Sequence, residues 1–285
     1  MEIKQLERVA SQVRRDIVRM VHGCQSGHPG GSLGCTDLIV ALYFHQMQLK
    51  EEDGAPVFDM DGMQEDLFFL SNGHISPVWY SVMARRGYFE VAEMATFRKL
   101  NTRLQGHPTT HEHLPGVRVA SGSLGQGLSV ALGAAMAKKL NNDDHLVYCL
   151  MGDGEQQEGQ VWEAAMFAPH HQVDNLIAFI DLNGQQIDGP TVKVMNNRDL
   201  AAKYLAFGWE VMHIEHGNNM EAIVKGLAEA KGKSGHGKPV MVLLETGMGY
   251  GVDFMMGSHK WHGVAPNDEQ LAAALAQLEE TLGDY

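Results

Sequence analysis

Met151-Gly152-Asp153-Gly154-Glu155 and, about thirty residues later, Asp181-Leu182-Asn183-Gly184-Gln185 are the stretch around which the rest of this chain is organised. Leu146–Met151 is a short apolar run rich in β-formers, and it stops abruptly at Gly-Asp-Gly. From about Glu158 to Ala168 the composition is helical, and Leu176–Ile180 is a second buried-strand run that leads into Asp181 and Asn183. Strand, helix and strand over this distance predict a βαβ unit with parallel strands and a right-handed crossover. Asp153 and Asn183 should then emerge side by side at the carboxyl edge of the sheet, where open α/β sheets bind ligands. A carboxylate, a side-chain amide and a nearby carbonyl are hard oxygen ligands suited to magnesium or calcium, with phosphate oxygens completing the shell. The glycines flanking Asp153 let backbone N–H groups approach a phosphate that a side chain would block. Chemically, the stretch reads as a divalent metal clamped onto a diphosphate.

A lone Gly-Asp-Gly is a common turn. The second half, Asn183 followed by Gln186-Ile187-Asp188-Gly189, makes it specific, because the pair resembles the diphosphate motif of thiamine-diphosphate enzymes.

Around this centre the chain has 285 residues, 44% of them hydrophobic and 20% charged, the composition of a soluble globular protein and length enough for one large α/β domain or two small ones. A net charge of −13 without any basic block argues against nucleic acid as a partner. It does not argue against a phosphorylated ligand, since metal and backbone amides supply local positive potential. Cys24, Cys35 and Cys149 have neither metal spacing nor a disulfide pattern and read as small buried residues of a cytosolic protein. The amino terminus lacks an apolar signal core, and the mostly apolar runs near 38–44 and 128–137 are too short to span a membrane. The expectation is a cytoplasmic protein without a membrane association.

Outward from the motif, residues 3–22 carry apolar residues at helical spacing, and that helix should end near Gly23. Gln25–Ser32 reads as a glycine-rich loop carrying His28, Cys35–Met47 as a buried helix, and 50–66 as an acidic surface excursion. Leu67–Leu70 is a third strand candidate and runs into Ser71-Asn72-Gly73-His74; helices are expected at 75–86 and 91–99. Gly106-His107-Pro108 is another turn with a histidine. Zinc at its neighbours His111 and His113 is disfavoured by irregular spacing and the lack of a nearby Cys. Ser121–Gly127 is a glycine loop opening a helix over 128–139, without the dinucleotide fingerprint. Beyond the motif come a helix at 200–207, a strand at 209–214, a helix at 220–231, a strand at 239–244 and a final helix over 268–282. No repeat or linker divides the chain. The fold class read from this order is α/β, a doubly wound and mostly parallel sheet with helices on both faces, as one domain over 1–285.

Four separate loops carry a histidine, His28, His74, His107 and His262, and with the two-part motif they resemble the amino-terminal, diphosphate-binding half of transketolase. The match runs in order from Ser26-Gly27-His28-Pro29-Gly30 to Trp261-His262-Gly263. The resemblance implies that Asp153, Asn183 and the backbone carbonyl of Gln185 hold Mg2+, with Ca2+ or Mn2+ able to substitute. It implies that His74 and Gly154 contact the diphosphate of thiamine diphosphate. Gly122, Leu124, Gly152 and Ile187 would line the cofactor pocket, and Glu158 would link the two active sites of a dimer. His28, His107 and His262 would face a sugar. Moving a two-carbon ketol unit from a ketose to an aldose needs protons to leave and rejoin hydroxyls, a task for groups that titrate near neutrality. The carbanion chemistry itself belongs to the cofactor.

Two departures and one absence qualify the match. Ser123 stands where single-chain members usually have proline, as in shorter split forms, and Met248 stands where some members have a lysine. No segment after Gly263 is long enough for the family's pyrimidine-binding domain, which carries the cofactor-activating glutamate and most of the residues that recognise the sugar's phosphate. The resemblance therefore implies half an enzyme, one component of a split transketolase that pairs with a separately encoded carboxy-terminal partner as α2β2. The alternatives are the α subunit of a 2-oxo acid dehydrogenase, a 1-deoxyxylulose-5-phosphate synthase-like half, and a non-catalytic cofactor-binding half. The four histidine loops and the Ser26–Gly30 stretch favour transketolase over the first; the second family is normally one long chain, and intact metal ligands with four placed histidines weigh against the third.

Overall fold

Five strands, β1 (Leu67–Leu70), β2 (Val147–Gly152), β3 (Leu176–Leu182), β4 (Glu210–Ile214) and β5 (Val240–Glu245), form one wholly parallel sheet in the computed structural model, which describes residues 1–285. Their order is β1-β2-β3-β5-β4, so the step from β4 to β5 runs back toward the centre. Parallel strands buried on both faces read as continuous apolar runs, and successive side chains divide between two cores. Tyr148, Leu150, Ile177 and Phe179 point to one face. Val147, Cys149, Met151, Ala178 and Ile180 point to the other. The first face is covered by α1 (Ile3–Cys24), α3 (Thr36–Ala41), α4 (Ser76–Arg86) and α8 (Met220–Lys233). The second is covered by α5 (Gln126–Leu140), α6 (Gly159–His170) and α7 (Leu200–Phe207). Each fully buried Leu, Ile or Phe contributes about 1.5–3 kcal/mol, which makes the sheet a firm platform for its carboxyl edge.

The predicted helices and strands form, with four differences. Pro29–Gly34, read as loop, is a short buried helix, α2. Proline opens it at a position that needs no N–H, and its glycines are required by crowding. A Cβ on Gly30 would lie 2.7 Å from Met248 Cγ, and one on Gly31 2.8 Å from Ile75 Cγ2. The helix expected over Cys35–Met47 is α3 followed by a π turn at Leu42–Gln46. Residues 91–99 form only a 3-10 segment, Val91–Thr96. The last helix, α9 (Asp268–Gln277), stops five residues early. Arg15 Nη1 donates to the carbonyls of Leu275 (2.9 Å) and Leu278 (2.7 Å), while Gln12 Oε1 accepts from the N–H groups of Thr281 and Leu282, both at 3.0 Å. Those groups are diverted to α1, so the helix has nothing to continue with. No helix is long and apolar enough to cross a membrane.

Candidate active site

Gly152 on β2 pairs in register with Asp181 on β3, so both halves of the motif leave the sheet at the same level. Asp153 is buried, and its own N–H donates to the Asp181 carbonyl at 3.1 Å. Its carboxylate accepts from the N–H of Gly154 at 2.7 Å and of Gly184 at 2.8 Å, which fixes its direction from both loops. Burial and then the charge of Asp181 push its carboxyl up to about 7. Asn183 is oriented through Nδ2, which donates to Asp181 Oδ2 at 2.6 Å, while its Oδ1 accepts from the Gln185 N–H at 2.9 Å and keeps a second lone pair. Asp181 is held in turn by the Thr246 hydroxyl from the end of β5.

Glu155 is the residue that the sequence reading passed over. Its carboxylate, 1% exposed, accepts from the Ser71 hydroxyl beyond β1, from the Gly125 N–H at 2.7 Å and from the Gly152 N–H at 3.1 Å. One side chain thus fastens the β1 end, the glycine loop before α5 and the Gly-Asp-Gly turn. Burial raises the pKa of both Glu155 and Asp181. Both residues lie inside the quoted motif, but their partners come from residues 71, 125 and 246, which no local pattern links to them.

The four histidines come together. Ring centroids lie 4.9 Å apart for His74 and His262, 5.1 Å for His28 and His74, 5.6 Å for His28 and His262, and 6.1 Å for His28 and His107. Burial, then the charges of His262, Arg98 and His107, lowers His28 to about 4. Burial also lowers His107 and His262, and takes His74 well below its ordinary value. All four are therefore neutral near pH 7. The Nδ1 atoms of His28 and His262 are buried without a protein partner, which leaves hydrogen-bonding capacity for a ligand.

These groups line a cleft of about 250 Å³, and every predicted site residue lines it except His107. His107 is exposed and lies at the rim beneath Gly122, where a Cβ would come within 2.7 Å of its Cδ2. Glu158 is exposed at the start of α6, and Ile187 is 59% exposed at the cleft mouth. A Cβ on Gly152 would meet no protein atom within 4 Å, so the space beside it belongs to the cleft. Asn72, Gln157, Gln186 and Met248 also line it and were not among the predicted residues. An oxygen-lined floor with open space beside Gly152 fits a metal-bound diphosphate, and the neutral imidazoles of the same cleft fit a polyhydroxylated substrate.

The sequence profile described as "Transketolase, thiamine diphosphate binding domain" matches residues 5–282. One of the subunits of the apulose-4-phosphate transketolase of Phocaeicola vulgatus is 35% identical over 99% of this chain and 96% of its own length. The 6-deoxy-6-sulfo-D-fructose transketolase subunit SqwG of Clostridium sp. is 37% identical over 96% of each chain. Among solved structures, transketolase from Campylobacter jejuni superposes with a TM-score of 0.87 at 33% identity over 98% of this chain. That match covers 43% of the longer chain, so the present chain spans about two fifths of the solved transketolase. The chain belongs to the transketolase family and is of its amino-terminal, thiamine-diphosphate-binding type.

Proposed function

We propose that this chain, acting as one domain over residues 1–285, is the cofactor-binding subunit of a split transketolase. The enzyme would transfer a two-carbon ketol unit from a ketose, phosphorylated or carrying another anion, to an aldose. The observation that carries this reading is the meeting of four neutral imidazoles from four separate loops, three of them lining the same cleft as Asp153 and Asn183 and His107 at its rim. Thiamine diphosphate supplies, when bound, the electron sink for carbon–carbon cleavage. Asp153, Asn183 Oδ1 and the Gln185 carbonyl form a hard, net-anionic oxygen set with no cationic side chain to balance it, which fits Mg2+, or Ca2+ or Mn2+ in its place. Gly152 and Gly154, lacking side chains, leave room for the diphosphate and His74 offers it an N–H; Gly122, Leu124 and Ile187 flank the rest of the cofactor.

His28, His107 and His262 do the proton work. An imidazole that is neutral at working pH can take a proton from a sugar hydroxyl and return it as the bond to the acceptor forms. The same N–H can stabilise a developing alkoxide. A cofactor site of the 2-oxo acid dehydrogenase kind would not need this histidine set.

The separately encoded carboxy-terminal partner, carrying a pyrimidine-binding domain, is supported by two relatives of matching length that are named as transketolase subunits. It is also supported by apolar side chains left open beside the site. Met166 (61% exposed), Phe167, Val130, Leu124 and Ile187 stand out around α5, α6 and the cleft mouth. Surfaces of that kind mark partner contacts. Glu158, exposed there, would reach the second copy in an α2β2 assembly. Co-expression with the product of an adjacent gene, followed by a ketol-transfer assay with added thiamine diphosphate and Mg2+, tests the reading. A complex that binds cofactor but decarboxylates 2-oxo acids, with no ketol transfer, would reject it.

A further inference from the structure

The geometry points to Arg98 as a positioning residue for the proposed reaction, one that ties the loop bearing His28 to the loop bearing His107 and keeps an unneutralised cation beside both imidazoles. The inference rests on the transketolase reading only for the purpose it assigns to the histidines.

Arg98 Nη1 donates to Ser26 Oγ at 2.8 Å, two residues before His28. Its Nη2 points at the Gly106 carbonyl, 3.5 Å away and next to His107; that carbonyl also accepts from Ser76 Oγ at 2.8 Å. The backbone is arranged to bring it there. Arg98 has a φ of +56°, uncommon for a non-glycine residue, and its N–H closes the loop onto the Leu104 carbonyl at 2.9 Å. Gly106 is bare where the guanidinium lies: a Cβ there would sit 2.6 Å from both Arg98 Nε and Cζ.

The charge is the unusual part. Every other buried or half-buried arginine pairs with a carboxylate, as neighbouring Arg103 does with Glu93 at 2.6 Å. Arg98 is half-buried and has none, and its Nε is buried without any partner. An enclosed charge without a counter-ion is costly unless the site uses it. Its partners instead are a hydroxyl, a carbonyl and the face of Phe97, 5.6 Å from the guanidinium carbon. His28 faces Arg98 and the rings of His74, His107 and His262; His107 faces Arg98 and His28; the charge that acts on His262 is that of Asp188. A cation at this place disfavours the imidazolium form of His28 and His107, adding to the effect of burial. Arg98 thereby keeps both rings in the form that can accept a proton.

Deuterium exchange at the imidazole C2–H, followed by mass spectrometry across a pH series, reads each histidine separately and needs no catalytic activity. It therefore fails or succeeds independently of the enzymatic reading, and it works on this chain alone or with its partner. In Arg98→Met the midpoints of His28 and His107 should rise by about half a pH unit or more, while those of His74 and His262 stay. Arg98→Lys, which keeps the charge, should move them less. Gly106→Ala keeps Arg98 in the sequence but displaces its guanidinium from the space it fills, and should shift the two midpoints in the same direction as Arg98→Met; it carries the test if that variant does not fold. Unchanged midpoints for His28 and His107, or all four histidines moving together toward ordinary values, would overturn the assignment.

Discussion

The Glu155 carboxylate accepts a hydrogen bond from the Gly125 N–H at 2.7 Å, joining the metal-motif turn to a glycine loop about thirty residues earlier in the chain. The same carboxylate holds Ser71 and Gly152. Three segments that border the cleft therefore share one acceptor, and none can shift without breaking a bond at a site 1% exposed. Buried donors left without an acceptor cost about 1–3 kcal/mol each. Glu155→Ala should destabilise the chain by about 2 kcal/mol or more and weaken thiamine-diphosphate binding as the glycine loop loosens. Glu155→Gln, which keeps one acceptor oxygen, should lose less. Denaturant unfolding midpoints equal to the parent's for both variants would contradict this role.

How far the site was legible in the sequence follows from the same contacts. The edge that carries Asp153 and Asn183 is dictated by two apolar runs and the helix between them, a local pattern with one topological outcome. Each histidine could be placed in a loop, but their convergence, each ring within 6.1 Å of at least one other, is a tertiary fact that entered only through the family resemblance. Glu155, Asp181 and Arg98 escaped because what distinguishes them is the partner each meets, at Gly125, Thr246 and Ser26. The helix Pro29–Gly34 escaped for a related reason. Glycine's poor helix propensity is overridden there by the close approach of Met248 and Ile75.

Asp153 and Asn183 should control cofactor affinity. Asp153→Ala removes a charged oxygen ligand, and magnesium tolerates a missing ligand poorly. Calorimetry on the assembled protein should show thiamine-diphosphate affinity lowered by at least about tenfold, roughly 1.4 kcal/mol. Asn183→Ala should act in the same direction. Prior removal of divalent metal with a chelator should largely erase the difference between parent and variants. An Asp153→Ala protein with parental affinity in the presence of Mg2+ would sink the ligand assignment.

The histidine cluster should make stability fall in mild acid. A histidine whose folded pKa lies below its unfolded value takes up its proton first in the unfolded chain. Its contribution is complete above about pH 6.5 and is lost as pH falls from there toward the folded value, about 4 for His28. One such group gives a slope of up to about 1.4 kcal/mol per pH unit inside that window. His28→Asn should flatten the stability curve between pH 6 and about 4.5 relative to the parent. Parallel curves for the two proteins would show that His28 is not held neutral in the fold.

His28 and His262 should act on substrate rather than on cofactor. Alanine at either position removes a proton-transfer group while leaving the Asp153–Asn183 floor untouched. Turnover of the assembled enzyme should fall by about a hundredfold or more, with cofactor affinity nearly parental. The opposite pattern, lost cofactor binding with parental turnover at saturation, would place that histidine on the cofactor instead.

The chain by itself should show no ketol transfer. Its cleft is open on the side where Leu124 and Ile187 stand exposed, so a bound cofactor would meet water there. Further along, α5 and α6 leave a groove of about 320 Å³ lined by Ser129, Leu132, Gly133, Met136, Glu163, Ala164 and Phe167, and a Cβ on Gly133 would touch nothing. Leu132, Met136 and Phe167 in this groove, with Val130 and Met166 exposed beside it, gain most when a partner excludes water. Obligate interfaces often bury more than about 2,000 Å² and are rich in such residues. Light scattering after size-exclusion chromatography should therefore find the isolated chain self-associated or unstable, and should find two copies each of chain and partner after mixing. Changing Met166 and Phe167 together to Asp should block that assembly and abolish activity, while leaving the buried cores of the sheet intact by circular dichroism. A stable monomer with full activity on a ketose donor and an aldose acceptor would overturn the split-enzyme reading.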